Sequence, residues 1–386
     1  MMRIIDRMAL RRRVTFALAT LCAAFLIFAP RAVPAKEPER YEFNDQKMGV
    51  PINLILYAEN QEKASEAADA VWKRFDELDA ILSDWDQESE VIRVCRAAGE
   101  TGDFVHVSDD LRRALAEARR YGELTDGAFD ATVGPVVKLW RRSRYFHDLP
   151  PARVLESAKQ RVGPSVWELD ERGVRADKNV RFDFGGIGKG IALDEALRIL
   201  RELGVNSALV NASGDLRLGD PPPGKKGWTV GISSLGEEPA WYRELSNVGV
   251  ASSGDANRYI EIDGIRYSHI IDPRTCDPLT RRCVATVLAP TATTADALAS
   301  ALCVLGPEEA PEIFERIRRE GIGDGKELAP FEYALFAVNG DADPPYEDDQ
   351  IDVLTTAFFK DDCALATSET SELEGQKDES SGDGVE

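Results

Sequence analysis

The stretch Asp183–Leu200, DFGGIGKGIALDEALRIL, constrains the fold more than any other. Val180–Phe184 reads as a strand. Gly185, Gly186, Gly188 and Gly190 then punctuate a turn, and a helix begins near Lys189. A strand that feeds a helix through glycines points backbone N–H groups outwards at the helix start, which is a ready anion site. Lys189 adds a positive charge there. The pattern is not a Walker A loop, because Gly190 rather than Ser or Thr follows Lys189, and it fails GxGxxG. The phosphate signal is therefore generic.

The rest of the chain alternates strands and helices. Met48–Ala58 reads as a strand with Pro51 at an edge or kink. Gln61–Leu82 is a long helix whose Ala68, Val71, Trp72, Phe75, Leu78 and Leu82 recur at helical spacing. Ser83-Asp84-Trp85-Asp86 breaks it, and Trp85 is either a core aromatic or a ring for stacking on a planar ligand. Ser89 opens a short segment ending at Gly99. Phe104–Val107 is a short strand containing His106, and Ser108 caps a helix over Asp109–Tyr121. In Leu124–Trp140, Gly127, Gly134 and Pro135 prevent a continuous element. Asp126 and Asp130 bracket an apolar knuckle, Ala128-Phe129, which suits a ligand loop or a plain connector. Arg141–Pro151 reads as a basic, aromatic loop with an exposed His147. Pro151–Val162 reads as helical. Strands are expected at Val166–Leu169, Ser207–Asp215, Trp228–Ser233 and Cys283–Ala289. A helix follows over Thr291–Leu305, capped by Thr293 or Thr294, then a final helix at Pro307–Arg319 and a final strand at Glu332–Val338.

Two segments carry candidate chemistry. Asn257–Asp263, Gly264 and IRYSHII form a β-hairpin pattern, whose second strand leads His269 and Asp272 into the Pro-punctuated loop IIDPRTCDP. A histidine with its pKa near neutrality is a good proton acceptor, and the bland alternative is a residue that only ties the loop together. Asp296 and Ser300 stand four apart, so their oxygens share one helical face. That arrangement suits a hard cation, although an Asp in a first turn also stabilises the helix dipole alone.

The 386 residues can bury a large core, in one domain or two closely joined halves. A formal net charge of -21 argues against nucleic acid, whose phosphates it would repel. Cys22, Cys95, Cys276, Cys283, Cys303 and Cys363 lack zinc-ligand spacing, and a Cys276–Cys283 disulfide stays open. Arg11–Arg13 followed by the mainly apolar Val14–Ala29 and by Val33-Pro34-Ala35 reads as a secretory signal over residues 1–35. Export to the periplasm or cell envelope is expected, with tethering through an uncleaved segment as the alternative. Residues 36–47 read as a polar linker, 48–340 as the folded domain, and 341–386 as an acidic, largely disordered tail.

These segments, in order, resemble the ApbE family, the FAD:protein FMN transferases. The landmarks are Met48-Gly49, SDWDQESE at Ser83–Glu90, DGAFDATVGPVVKLW at Asp126–Trp140 and DFGGIGKGIALD at Asp183–Asp194. They continue with VNASGD at Val210–Asp215, SHIIDPRT at Ser268–Thr275 and TADALASAL at Thr294–Leu302. The resemblance implies an exported α+β fold, with mixed or antiparallel sheets flanked by helices in two closely joined subdomains. It implies FAD as substrate with Mg²⁺, and transfer of FMN to a Thr or Ser hydroxyl of a target protein, a membrane-associated redox protein, with release of AMP. Hydrolysis of FAD to FMN and AMP, or flavin binding without catalysis, are the alternatives. By position, Met48, Trp85, Ala128, Phe129, Asp130, Asp183, Lys189 and Ile271 would hold FAD. Gly186, Asp296 and Ser300 would ligate the metal, and His269 would be the base. The chain departs from the family pattern at Ser300, where Thr is usual, at Cys276, where Gly is usual, and at Ala212-Ser213, where Gly-Gly is frequent.

Overall fold

Val50–Ala58 buries every second side chain completely, and that alternation orders the fold. In this computed structural model, residues 37–236, 238–255, 258–320, 331–338 and 350–360 are described. Strand β1 (Glu39–Lys47) and β2 (Val50–Ala58) form a hairpin. They join β5 (Ala208–Ala212), β6 (Asp215–Leu218), β9 (Gly249–Gly254), β14 (Cys283–Ala289), β15 (Glu332–Val338) and β16 (Ile351–Thr355). The eight run in the order β1-β2-β5-β6-β9-β14-β15-β16, and each neighbouring pair is antiparallel. Short hairpins lie outside this sheet: β3 (Trp167–Asp170) with β4 (Gly173–Ala176), β7 (Trp228–Ile232) with β8 (Trp241–Leu245), β10 (Tyr259–Ile262) with β11 (Ile265–Ser268), and β12 (Ile271–Asp272) with β13 (Asp277–Pro278).

The period-two pattern gives the sheet two apolar faces. On one, Ile52, Leu54, Leu56, Val210, Ala285, Val287 and Leu335 pack under helices. Those helices are α1 (Gln61–Leu82), α2 (Glu90–Thr101), α3 (Asp109–Leu124), α6 (Gly188–Glu202) and α7 (Ala292–Glu320). On the other, Ile55, Tyr57, Leu209, Val284, Leu288 and Phe336 pack on the β7–β8 hairpin. The two subdomains expected from the sequence thus share one continuous sheet. Helices α4 (Gly134–Phe146) and α5 (Ala152–Lys159) form a third small core with the β12–β13 loop, and α8 (Ala357–Lys360) closes the described chain.

Several expectations are corrected. Residues 39–47 of the expected linker are strand β1, because Tyr41 and Phe43 alternate onto the core while their neighbours stay polar. Residues 350–360 of the expected tail are structured: β16 pairs with β15, and Phe359 is fully buried. Val180–Phe184 is extended but joins no strand; its Val180, Phe182 and Phe184 are core residues, and the Asp183 N–H bonds Ala131 O at 2.7 Å. The basic segment after Trp140 continues α4 to Phe146. Pro135 falls in that helix's first turn, where its missing N–H costs nothing. Thr291, not Thr293 or Thr294, caps α7 by accepting from the Thr294 N–H at 3.1 Å. Gly306 (φ 66, ψ -171) kinks α7, so the two expected helices are its two halves. Cys276 and Cys283 are free thiols. The signal segment 1–35, Cys22, Cys363 and residues 361–386 lie outside the described residues. Among the described residues no helix is long and apolar enough to cross a membrane.

Candidate active site

The glycine turn before α6 sets the site. At Gly190 an added Cβ would lie 2.5 Å from Ala292 O and 2.6 Å from Thr293 Cα, so the start of α6 rides directly on the start of α7. Asp194, one turn later on α6, accepts from the Ala292 and Thr293 N–H groups, each at 2.9 Å. This locks the two helix starts together and fixes Asp296, on the next turn of α7, against α6. Asp296 Oδ2 accepts from the Gly190 N–H at 3.0 Å, and Oδ1 lies 3.4 Å from Lys189 Nζ. The anion that the glycine turn holds is therefore Asp296 itself.

Lys189 also pairs with Asp215 on β6, and Asp215 Oδ1 accepts from the Ser252 N–H at 3.1 Å. Both carboxylates are buried. One ammonium between two buried carboxylates leaves a net negative charge, which favours an added cation. Ser300 follows Asp296 by one turn, with Oγ 3.2 Å from Ser253 Oγ on β9. Gly186 stands beside it, since a Cβ there would come within 3.1 Å of Ser300 Oγ and 3.2 Å of Phe129 Cε2. Among the described residues there is no cluster of three or more His, Cys, Asp or Glu side chains fit for a metal. The available donors are one carboxylate, a hydroxyl and a backbone carbonyl, all hard oxygens. That set fits Mg²⁺, which commonly takes one or two protein carboxylates and fills its remaining positions with water and substrate phosphate.

A second group adjoins the first through the chain at Asp183. Asp183 Oδ1 accepts from the Gly185 N–H at 2.7 Å, and Oδ2 accepts from Arg141 Nη2 at 2.9 Å. Burial, and then the Asp84 carboxylate, push the Asp183 carboxyl up from its ordinary range. Arg141 also pairs with Asp84 and lies over the Trp85 ring, 4.3 Å from its centroid. Trp85 is 72% exposed, so it is no core aromatic and its ring is open for stacking. Asp130 folds back on its own turn, accepting from Thr132 N–H and Oγ at 2.7 Å each, and burial pushes its carboxyl up. Ala128 and Phe129 are buried in the main core. Met48 turns the β1–β2 hairpin at φ 50, and its Cε lies 3.8 Å from where a Gly188 Cβ would stand. Ile271 is buried against Val136 and Trp140 of α4 and holds the β12 loop in place.

His269 follows the last residue of β11 rather than lying on it. Its N–H bonds Arg258 O at 2.9 Å, and Nδ1 lies 3.1 Å from the same carbonyl. A carbonyl only accepts, so Nδ1 carries the proton and Nε2 presents a lone pair. The half-buried ring has its pKa pushed down to about 4, by burial first and then by the charges of Arg258 and Arg144. It is neutral at pH 7. The nearby carboxylates are already engaged: Arg266 Nε and the Cys283 N–H take Asp255, and Arg274 takes Asp272.

The structure thus gathers Phe129, Gly186, Lys189, Asp296 and Ser300 at one place, and joins Trp85 to Asp183 through Arg141. Ala128, Asp130 and Ile271 shape the surrounding loops. Sequence reading missed Arg141, Ser252, Ser253 and the working role of Asp215. The run Ser252-Ser253-Gly254-Asp255 at the end of β9 was the available signal, because polar residues ending a buried strand need partners.

A helix-faced antiparallel sheet, with a Lys–Asp cluster where two helix starts meet, defines an α+β protein. The profile of the ApbE family matches residues 48–322, and the chain belongs to that family. A protein of Haemophilus influenzae named FAD:protein FMN transferase is 32% identical over 271 residues, 66% of this chain and 76% of that protein. One of Klebsiella pneumoniae with the same name is 30% identical over 324 residues, 80% of this chain and 91% of its own. The crystal structure of the ApbE protein from Thermotoga maritima superimposes with a TM-score of 0.69 at 28% identity, covering 83% of this chain and 98% of that one.

Proposed function

We propose that the chain is an FAD:protein FMN transferase that requires Mg²⁺ and moves FMN onto a Thr or Ser hydroxyl of a target protein. The observation that carries this reading is the Lys189–Asp296 pair set beside Ser300 and Gly186, a cluster of oxygen donors where two helix starts meet. Asp296, Ser300 and the Gly186 carbonyl would hold the metal. When bound, it neutralises charge on the pyrophosphate and on the departing phosphate. Lys189 supports the same charge from the protein side. Trp85 stacks on the flavin or adenine ring. Met48, Ala128, Phe129, Asp130, Asp183 and Ile271 shape the remaining FAD cleft.

The acceptor oxygen attacks the phosphorus on the FMN side, and the bond from that phosphorus to the bridging oxygen breaks. AMP leaves with the bonding pair, and the acceptor's proton passes to His269 Nε2. Residues 1–35 direct export, and N-terminal sequencing of native protein beginning near Lys36 would support this. The deciding experiment incubates the full chain with FAD, Mg²⁺ and a candidate acceptor, then measures the intact mass of both proteins. Covalent FMN on the acceptor supports transfer. Free FMN and AMP without labelled protein point to hydrolysis, and intact bound FAD to a binding protein.

A further inference from the structure

The net charge is -21, yet Arg141, Arg142 and Arg144 fall in the last two turns of α4, followed at once by Tyr145 and Phe146. The aromatic pair does not pack inward. Tyr145 is 80% exposed and Phe146 58%, and their rings meet edge to face at 4.9 Å. Arg142 lies over Phe146 at 5.3 Å, and Leu149 and Val154, a few residues further along the chain, are exposed as well. Exposed aromatics of this size, interleaved with Arg, have the composition of a protein-binding surface rather than of ordinary solvated helix.

The same turn reaches the candidate base. The Trp140 ring meets that of Tyr267 of β11 at 5.1 Å, tilted by 31°, and Arg144 stands one helical turn beyond Trp140 on the same face. Arg144 lies near enough for its charge to act on His269, while the Arg258 carbonyl touches His269 from the start of the β10–β11 hairpin. Among the described residues neither Arg144 nor Arg258 has a carboxylate partner. Burial first, and then the charges of Arg141 and Arg258, lower the pKa of Arg144.

Resting on the transfer reading above, we propose that this ridge, Arg142, Tyr145, Phe146 and Leu149 with Arg144 and Arg258, docks the acceptor protein. The segment it fits bears carboxylates and an apolar side chain close to the hydroxyl that receives FMN. The carboxylates meet Arg144 and Arg258, the apolar group covers Tyr145 and Phe146, and the hydroxyl is left at His269. A ridge of Arg and exposed aromatics also suits an anionic lipid surface. The Trp140–Tyr267 contact, two residues from His269, brings this end of α4 to the strand that carries the candidate base, which favours the acceptor.

The test separates docking from transfer. Two fluorescein-labelled peptides of equal length, each with one Thr, are titrated against the full chain loaded with FAD; one carries aspartates and a leucine beside the Thr, the other lysines. The acidic peptide is expected to bind at least about tenfold more tightly. Arg144→Gln, and separately Tyr145→Ala with Phe146→Ala, should each remove most of that difference, and the aromatic double variant should leave FAD affinity unchanged. Equal binding of both peptides would overturn the proposal, as would unaltered binding in both variants. So would a result in which the variants lose only their affinity for phosphatidylglycerol vesicles. Mass analysis of the same mixtures reports transfer independently. Ridge-dependent peptide binding without any FMN labelling would leave the docking surface standing and remove the transferase reading.

Discussion

Lys189 and Asp296 meet across two helix starts, Nζ 3.4 Å from Oδ1, while the N–H of the next residue, Gly190, binds the other carboxylate oxygen at 3.0 Å. The carboxylate is thus oriented by α6 although it belongs to α7. Asp296→Asn keeps an oxygen for the Gly190 N–H and removes the charge. We expect a folded protein whose transfer rate falls on the order of a hundredfold at limiting Mg²⁺, the scale for loss of one charge-stabilising group. The half-saturating Mg²⁺ concentration should rise. A Mg²⁺ titration identical to the parent's would leave Asp296 as a helix-joining residue only.

Gly190→Ala tests the joint itself. The new Cβ would meet the Ala292 carbonyl and the Thr293 Cα, both backbone atoms that no rotamer change can move. The cost should be about 3 kcal/mol, at the upper end for overpacking, and the Lys189–Asp296 geometry should go with it. Urea unfolding should show a lower midpoint with an unchanged slope. A stability within about 0.5 kcal/mol of the parent would refute the close contact.

That joint shows how far the sequence could be read. The glycines marked a helix start beside an anion, and spacing put Asp296 and Ser300 on one face. Nothing local in the sequence showed that Asp296 is the anion the turn binds, because the two residues stand 106 positions apart. The failures elsewhere have the same root. The charged run after Trp140 reads as loop until Val136 and Trp140 are seen packing on the β12 loop. Residues 39–47 look like a linker because only Tyr41 and Phe43 carry the strand signal. The departure at Cys276 was legible, since the family pattern has Gly there and residue 276 has φ 61, in the left-handed region that favours glycine.

Cys276 offers a comparison of two substitutions. Its thiol is buried and lies 3.4 Å from Pro273 O, so truncation loses contacts in either case. Cys276→Ala keeps a Cβ in the left-handed region, whereas Cys276→Gly releases it. The left-handed conformation costs a non-glycine residue roughly 1–2 kcal/mol, so the Gly variant should be the more stable of the two by about 1 kcal/mol. Thermal unfolding of the pair would show it, and a more stable Ala variant would contradict the strain.

His269 joins geometry to pH. Its pKa of about 4 in the folded chain lies below the unfolded value near 6.5, so on acidification the unfolded state takes up the proton first. The residue's share of stability is fully present above about pH 6.5 and is lost as the pH falls towards 4. His269→Ala should flatten that part of the stability curve. In catalysis, kcat/KM for FAD reports the free enzyme, so its acid limb should lie well below pH 6.5. Bound pyrophosphate would offset the charges of Arg144 and Arg258, so the acid limb of kcat should lie at higher pH than that of kcat/KM. His269→Ala should bind FAD nearly as the parent does while transferring FMN about two to four orders of magnitude more slowly, the usual worth of a positioned base. Weaker FAD binding with a lower melting temperature would instead make His269 a residue that only ties β11 to Arg258. Unchanged transfer would remove it from the mechanism and would push Asp272 or Asp255 forward as the base, the first paired with Arg274 and the second with Arg266.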